Sequence, residues 1–409
     1  MAEEKLFGMA PEKGRWVFVL LGFIVDLCLG SVYAYSIFLP EIKKSFSVTG
    51  MQSNLPFMIF LAFFAITMFF GGKFMEKLGP KKLAIIGGLV VGLGWALSFF
   101  ATNIWMLIVS YGVIAGSGVG LVYGVPVSLG ARWFPDRKGL AVGLMLAGFG
   151  GSALITGKLA SVLIPSVGLN MTFLYFGAAF AVILTLLALP IKFPAAGYKP
   201  AGWSPAAGAA AAVDFDSSEM SKTGTFWGLF LCYIIGCLAG LMAIGISKPV
   251  GSEIIKIAGD TAASLVGIFA IFNALGRPLF GSLTDKITPK WAAIVNLCII
   301  LAVSLLMIIA KEGDVAIYVL AFIGFWLCLG GWLAIAPAAT AAFFGMKNYA
   351  RNYGLVFFAY GIGAILGGII SGQAKDVFGS YTFAFYPTAA LAVIGMILTF
   401  ALIKAPVKK

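Results

Sequence analysis

Two charged residues stand alone in apolar surroundings, and the chemistry of this chain has to be built around them. Arg277 sits in Asn273-Ala274-Leu275-Gly276-Arg277-Pro278, eight residues before Asp285. At helical rise that is about 12 Å from the nearest polar end, close to the middle of a hydrophobic layer of roughly 30 Å. A permanent guanidinium there costs several kcal/mol unless it meets water, a partner or a ligand. Its planar fork matches a carboxylate in bidentate geometry. Asp26, ten residues after Trp16, lies about 15 Å deep by the same count. The readings stay open: Arg277 holds an anionic ligand or forms a structural ion pair with Asp26, and Asp26 carries a proton or is a hydrogen-bonding aspartate at a helix interface. Asn273, one turn before Arg277, shares its face, where it either orients the guanidinium or donates to the ligand. Pro278 frees a carbonyl at the same level.

Other chemistries have no foothold. The chain contains no histidine, which removes the commonest general base, metal ligand and proton relay. Cys28, Cys232, Cys237, Cys298 and Cys328 lie in apolar runs without paired spacing, so they read as packing residues rather than disulfides or metal ligands. An enzyme would need a convergent nucleophile, base or metal set, and a channel a continuous polar pore. Neither pattern is present, and no cofactor, metal or catalytic residue is expected.

The elements that must hold Arg277 and Asp26 are membrane-spanning helices. With 61% hydrophobic and 11% charged residues among 409 and a mean hydropathy of +1.02, the solvent of most side chains is a lipid bilayer. Apolar runs at roughly 16–40, 52–75, 83–101, 104–130, 139–165, 169–191, 226–250, 258–283, 289–310, 315–344, 352–374 and 378–403 predict twelve crossings. The net charge of +12 resides in the short connections, which argues against a nucleic-acid partner. Placing both termini in the cytoplasm puts 20 of the 28 cations inside and seven outside, an orientation set by the positive-inside rule.

The sequence divides at 192–225, an Ala/Gly/Pro-rich and then acidic connection that reads as a flexible cytoplasmic linker between 1–191 and 226–409. Gly72, Glu76, Lys77, Pro80 and Lys81 recur 209 positions later as Gly281, Asp285, Lys286, Pro289 and Lys290. Gly139, Leu140 and Gly148 recur 215 positions later as Gly354, Leu355 and Gly363. Two six-helix halves in parallel orientation follow. Gly112, Gly116, Gly120 and Gly124 give the fourth span a smooth face for close packing.

The stretch from Gly71 to Lys82 resembles the loop signature of the major facilitator transporters, and Gly281 to Lys290 repeats it. The resemblance implies a gating role for Gly72, Glu76, Lys77, Gly281, Asp285 and Lys286. Arg132-Trp133-Phe134-Pro135-Asp136-Arg137-Lys138-Gly139-Leu140-Ala141, the segment around Arg277, and Ala350-Arg351-Asn352-Tyr353-Gly354 resemble the branch holding the bacterial oxalate:formate antiporter and the proton-coupled monocarboxylate carriers. That antiporter pattern uses two cavity cations, and its lysine falls on Tyr360 here, which leaves Arg277 alone and suits a substrate with one carboxylate. Tyr33 and Tyr123 fall where the pattern has aromatic cavity residues, and Phe149, Trp332 and Phe357 are candidates for the apolar wall. The animal carriers pair an aspartate with the helix 8 arginine and place a lysine in helix 1, where this chain has Asn273 and Tyr33, so their coupling residues do not transfer.

The expectation is therefore an all-α membrane protein of the major facilitator fold, with twelve transmembrane helices in two pseudo-symmetric six-helix halves, working as a monomer in the cell inner membrane. Its partners are a small monocarboxylate anion of the lactate or pyruvate type and a proton, moved in symport by alternating access. Anion exchange is the rival mechanism, and a non-transporting membrane sensor the alternative of another class.

Overall fold

The chain is helical almost throughout in the computed structural model, which describes residues 5–48, 50–195, 197–200 and 214–405. The first crossing, α1, occupies 11–46 in three pieces: Pro11–Leu29, a 3-10 segment Gly30–Ala34, and Tyr35–Phe46. Helices α2 (50–78) and α3 (80–97) share the run Gly50–Leu97, broken at Gly79 with φ 73°. Glycine tolerates that φ, and Pro80 fixes the first residue of the next helix. Then come α4 (104–133, with a π-helical stretch Ile108–Ala115), α5 (Lys138–Val167) and α6 (Leu169–Ala188).

The second set repeats the plan. Helix α7 is Gly224–Pro249, extended by a π turn to Ile254. Helices α8 (259–287) and α9 (289–309) share the run Gly259–Ile309, broken at Thr288 with φ 79°. The series ends with α10 (Val315–Phe344), α11 (Tyr349–Phe378) and α12 (Phe385–Leu402). Gly79 and Thr288 are 209 positions apart, the spacing of the sequence repeat, so the turn as well as the motif is duplicated. A threonine at positive φ is strained where glycine is not.

Among the described residues, ten helical runs are long and apolar enough to cross a membrane, two of them 49 and 51 residues long. Each of those two would extend to about 75 Å unbroken, far beyond a core of roughly 30 Å. Broken at Gly79 and Thr288, each supplies two crossings, and the total among the described residues is twelve. An even number places both described ends on one side, called here the terminal face.

Small residues bring the helices that carry the site into backbone contact. Gly116 of α4 packs on α2, where an added Cβ would stand 2.6 Å from the Phe60 carbonyl oxygen. Between the halves, Gly143 of α5 lies against Arg277 and Pro278 of α8, and Gly361 of α11 against Ala65 of α2. Helix α8 stays helical through Pro278; its break comes at Thr288.

The connection 192–225 is anchored at both ends, while 201–213 lies outside the described residues. Trp133 donates to the Lys192 carbonyl at 2.9 Å, and Tyr198 packs edge-on against the Trp133 ring. Past the gap, the Phe215 carbonyl accepts from Asn348 (3.0 Å) and Asn352 (2.9 Å), and the Phe215 N–H donates to the Phe344 carbonyl. Asn352, singled out by its motif, is a docking point for this connection.

Candidate functional site

Arg277 and Asn273 lie on the face of α8 that meets α5, and both are fully buried. Asn273 uses both ends of its amide: the nitrogen donates to the Trp326 carbonyl of α10 at 2.9 Å, and the oxygen accepts from Arg277 Nη2 at 3.4 Å. Of the two sequence alternatives for Asn273, orienting the guanidinium matches this geometry. The Arg277 Cζ stands 5.3 Å from the centre of the Phe149 ring of α5, a cation–π arrangement. Its Nε and Nη1 have no hydrogen-bond partner among the described residues.

Around that cation the predicted residues converge. Tyr33 lies in the 3-10 piece of α1, which Ser152 of α5 secures by donating to the freed Gly30 carbonyl. Its ring meets Phe149 at 5.1 Å, and its hydroxyl is 2.9 Å from that of Tyr360 on α11, a hydrogen bond that joins the two halves. Tyr123 of α4 packs edge-on against Phe149 at 5.4 Å. Tyr33 and Tyr123 are both within electrostatic reach of Arg277. Phe357 stacks on Tyr360 at 4.9 Å. Trp332 stands further back, stacked on Tyr233 of α7, whose ring meets Phe357 at 6.3 Å.

Asp26 is fully buried and electrostatically coupled to Arg277. Neither of its carboxylate oxygens has a hydrogen-bond partner among the described residues, so the direct ion pair is not formed. Cation and carboxylate are therefore both buried within electrostatic reach of one another with hydrogen-bonding capacity to spare, a costly arrangement for two buried ionisable groups.

The duplicated loops do not make symmetrical contacts. Gly72 of α2 abuts the Ala350 carbonyl of α11, and Gly281 of α8 abuts the Gly139 carbonyl of α5, so each copy closes the terminal face against the other half. Asp285 faces the backbone N–H groups of Gly139 and Leu140 and the Lys138 ammonium, all across the interface. Glu76 instead couples to Arg132 of its own half. Lys77 and Lys286 are exposed.

Three features escaped the sequence reading. Phe64 of α2 is the hub of the aromatic wall, with Phe357, Tyr123, Tyr360 and Phe149 at 4.9, 5.0, 5.5 and 5.7 Å. It is one of 36 phenylalanines in the chain, and nothing in its neighbours marks it. Tyr233 and Cys237 of α7 also reach the cluster, Cys237 within electrostatic range of Arg277. At the terminal face, Arg15 forks onto Asp136 at 2.6 and 2.9 Å, donates to the Trp133 carbonyl and lies over the Phe134 ring. Burial acts to raise the Asp136 carboxyl, but the Arg15 hydrogen bonds, a backbone hydrogen bond and the charges of Arg15 and Arg137 together outweigh it and leave the group below its ordinary value.

Twelve crossings in two six-helix halves, with an ionisable cluster where the halves meet, define a polytopic membrane transporter. The chain belongs to the Major Facilitator Superfamily, whose profile matches residues 18–247 and 229–409. It is 31% identical over 405 residues to the oxalate:formate antiporter of Oxalobacter formigenes, covering 97% of this chain and 94% of that one. It is 25% identical over 461 residues to human monocarboxylate transporter 14, covering 93% and 89%. Its fold matches the facilitator-family transporter FucP, crystallised in the outward conformation, with a TM-score of 0.68 and 19% identity over 94% of this chain and 98% of that one.

Proposed function

We propose that this protein moves a small monocarboxylate, of the lactate or pyruvate type, across the cell inner membrane by alternating access, together with a proton. The observation that carries the reading is Arg277: a permanent cation, fully buried between the halves, with two nitrogens free to donate and one amide fixing its orientation. A planar carboxylate is the ligand that such a fork accepts. The names of the relatives support the same class of anion. Selection for one charge rests on Tyr360, which fills the position of the antiporter's second cation with a neutral hydroxyl bonded to Tyr33. A dianion would bring a second carboxylate into the aromatic wall of Phe64, Phe149 and Phe357 with no cation to meet it.

Asp26 is the proposed proton carrier. With Asp26 protonated, Arg277 is free for the anion; with the anion gone, an ionised Asp26 balances Arg277. Proton and monoanion together move no net charge. The positive-inside bias makes the terminal face cytoplasmic, and 192–225 links the halves there, with Gly72, Glu76, Lys77, Gly281, Asp285 and Lys286 forming the gate on that side. A second reading, carboxylate exchange, is favoured by the 31% identity to the antiporter. Purified protein in liposomes separates the two. Symport concentrates labelled lactate when only the outside is acidified, whereas an exchanger takes up label only against a preloaded carboxylate. Failure of both assays removes the monocarboxylate reading.

A further inference from the structure

From the level of Arg277 toward the terminal face, three tyrosine hydroxyls from both halves converge with no well-formed hydrogen bond among the described residues. Tyr123 lies on α4 ten residues before that helix ends at Trp133, Tyr233 lies on α7 nine residues after its start at Gly224, and Tyr353 lies on α11 four residues after its start at Tyr349. Tyr123 and Tyr233 therefore stand at about the depth of Arg277, itself ten residues before the end of α8 at 287, and Tyr353 lies about 6 Å from the terminal face. Their relative exposures are 1%, 0% and 1%, and none of the three hydroxyls has a hydrogen-bond partner among the described residues. One ring, Phe357, touches all of them, at 5.4, 6.3 and 5.8 Å. Tyr123 is within electrostatic and hydrogen-bonding reach of Arg277 at one end of the series, and at the other Tyr353 is within the same reach of Tyr233 and within electrostatic reach of Tyr123.

The series leads somewhere. Beyond Tyr353 lies a cavity of about 10 Å³, bounded in part by Tyr349, Tyr353, Gly72 and Ser128. It sits directly behind the Gly72–Ala350 contact that closes this face. The volume is about that of one water position, too small for a carboxylate while the face is shut. Buried hydroxyls without partners are selected against in packed interiors, where phenylalanine fills the same space without the penalty. Three of them facing one another across a moving interface call for a partner at another stage of the cycle.

We propose that Tyr123, Tyr233 and Tyr353 form a second, hydroxyl-only subsite for the substrate carboxylate, occupied after Arg277 releases it and the halves part at the terminal face. This rests on the monocarboxylate reading and extends it. A neutral O–H donor holds a carboxylate less firmly than a guanidinium fork, so the anion steps down in grip on its way to the cytoplasm. Phe357 gives the alkyl end of the substrate a continuous apolar wall between the two positions.

The test uses the full chain in right-side-out and inside-out membrane vesicles, with L-lactate as the probe and half-saturation for exchange measured at each face. Tyr353→Phe and Tyr233→Phe each remove one donor to a charged ligand, an expected rise of about tenfold in half-saturation at the cytoplasmic face. At the opposite face, where Arg277 captures the anion first, the value stays within twofold. No change at either face would show that the hydroxyls meet only water, and an equal rise at both would show that they act through Arg277; either result overturns the subsite. Should one variant fail to reach the membrane, the other carries the same comparison. Absence of lactate exchange by the wild type would instead overturn the monocarboxylate reading, and the subsite with it.

Discussion

Replacing Arg277 by lysine keeps the charge at the site and removes the fork, which makes it the sharpest perturbation of the proposed anion site. Arg277 Nη2 is tied to Asn273 Oδ1, while Nε and Nη1 remain available, so the wild-type cation is held by one hydrogen bond and presents others to a ligand. A lysine ammonium can point at Asn273 or at a carboxylate, but it cannot present two parallel donors to the latter. Loss of one charge-assisted hydrogen bond is worth about 1.5–3 kcal/mol, or roughly ten- to a hundredfold in affinity. The expected result of Arg277→Lys is a rise of that size in half-saturation for lactate counterflow in proteoliposomes, with normal membrane insertion. An unchanged half-saturation would refute the reasoning, because it would mean that the guanidinium geometry is not used.

Other substitutions address separate parts of the account. Tyr360→Lys, which breaks the Tyr33 hydroxyl pair and adds a second cation, should shift preference from lactate toward oxalate by about tenfold or more, read as oxalate inhibition of lactate uptake. Asp26→Asn mimics the protonated acid and should abolish accumulation driven by an acidic exterior while lactate exchange continues; gradient-driven accumulation in that variant would send the proton by another route. Gly143→Ala places a Cβ 2.8 Å from the backbone of Arg277 and Pro278, so it should cut transport several-fold, whereas Gly124→Ala, whose Cβ would meet only a Met75 methyl at 3.4 Å, should not. For Arg15 and Asp136, removing either partner of a pair with side-chain exposures of 8% and 14% should lower the apparent Tm by a few degrees. Because the Asp136 pKa is depressed on folding, the contribution of this pair is present above about pH 3.8 and fades as the pH falls below it.

Much of the architecture was legible because membrane helices write themselves into sequence. Lipid demands about 20 apolar residues per crossing, and a lone arginine in such a run is conspicuous. Arg277 and Asp26 stand out that way, and the 209-residue repeat marks the paired loops at Gly72–Lys81 and Gly281–Lys290, within which the structure breaks the helices at Gly79 and Thr288. Asn273 was placed on the correct face by the one-turn rule, although sequence left open whether it served the arginine or the ligand. What remained hidden depends on which apolar face meets which. Phe64 and Tyr233 carry no periodic signal that separates cavity from lipid or packing face in a chain so uniformly hydrophobic. The Arg15–Asp136 pair joins residues 121 positions apart, and each alone reads as an ordinary charged residue at a helix end.

The most direct test of the account is the movement of labelled L-lactate into liposomes holding the purified wild-type chain under an imposed inward proton gradient. Lactate should accumulate above its outside concentration, collapse to equilibrium when a protonophore is added, and compete with pyruvate but not with oxalate. Uptake that ignores the gradient yet exchanges readily with internal oxalate would contradict proton-coupled monocarboxylate transport and assign the chain to carboxylate exchange.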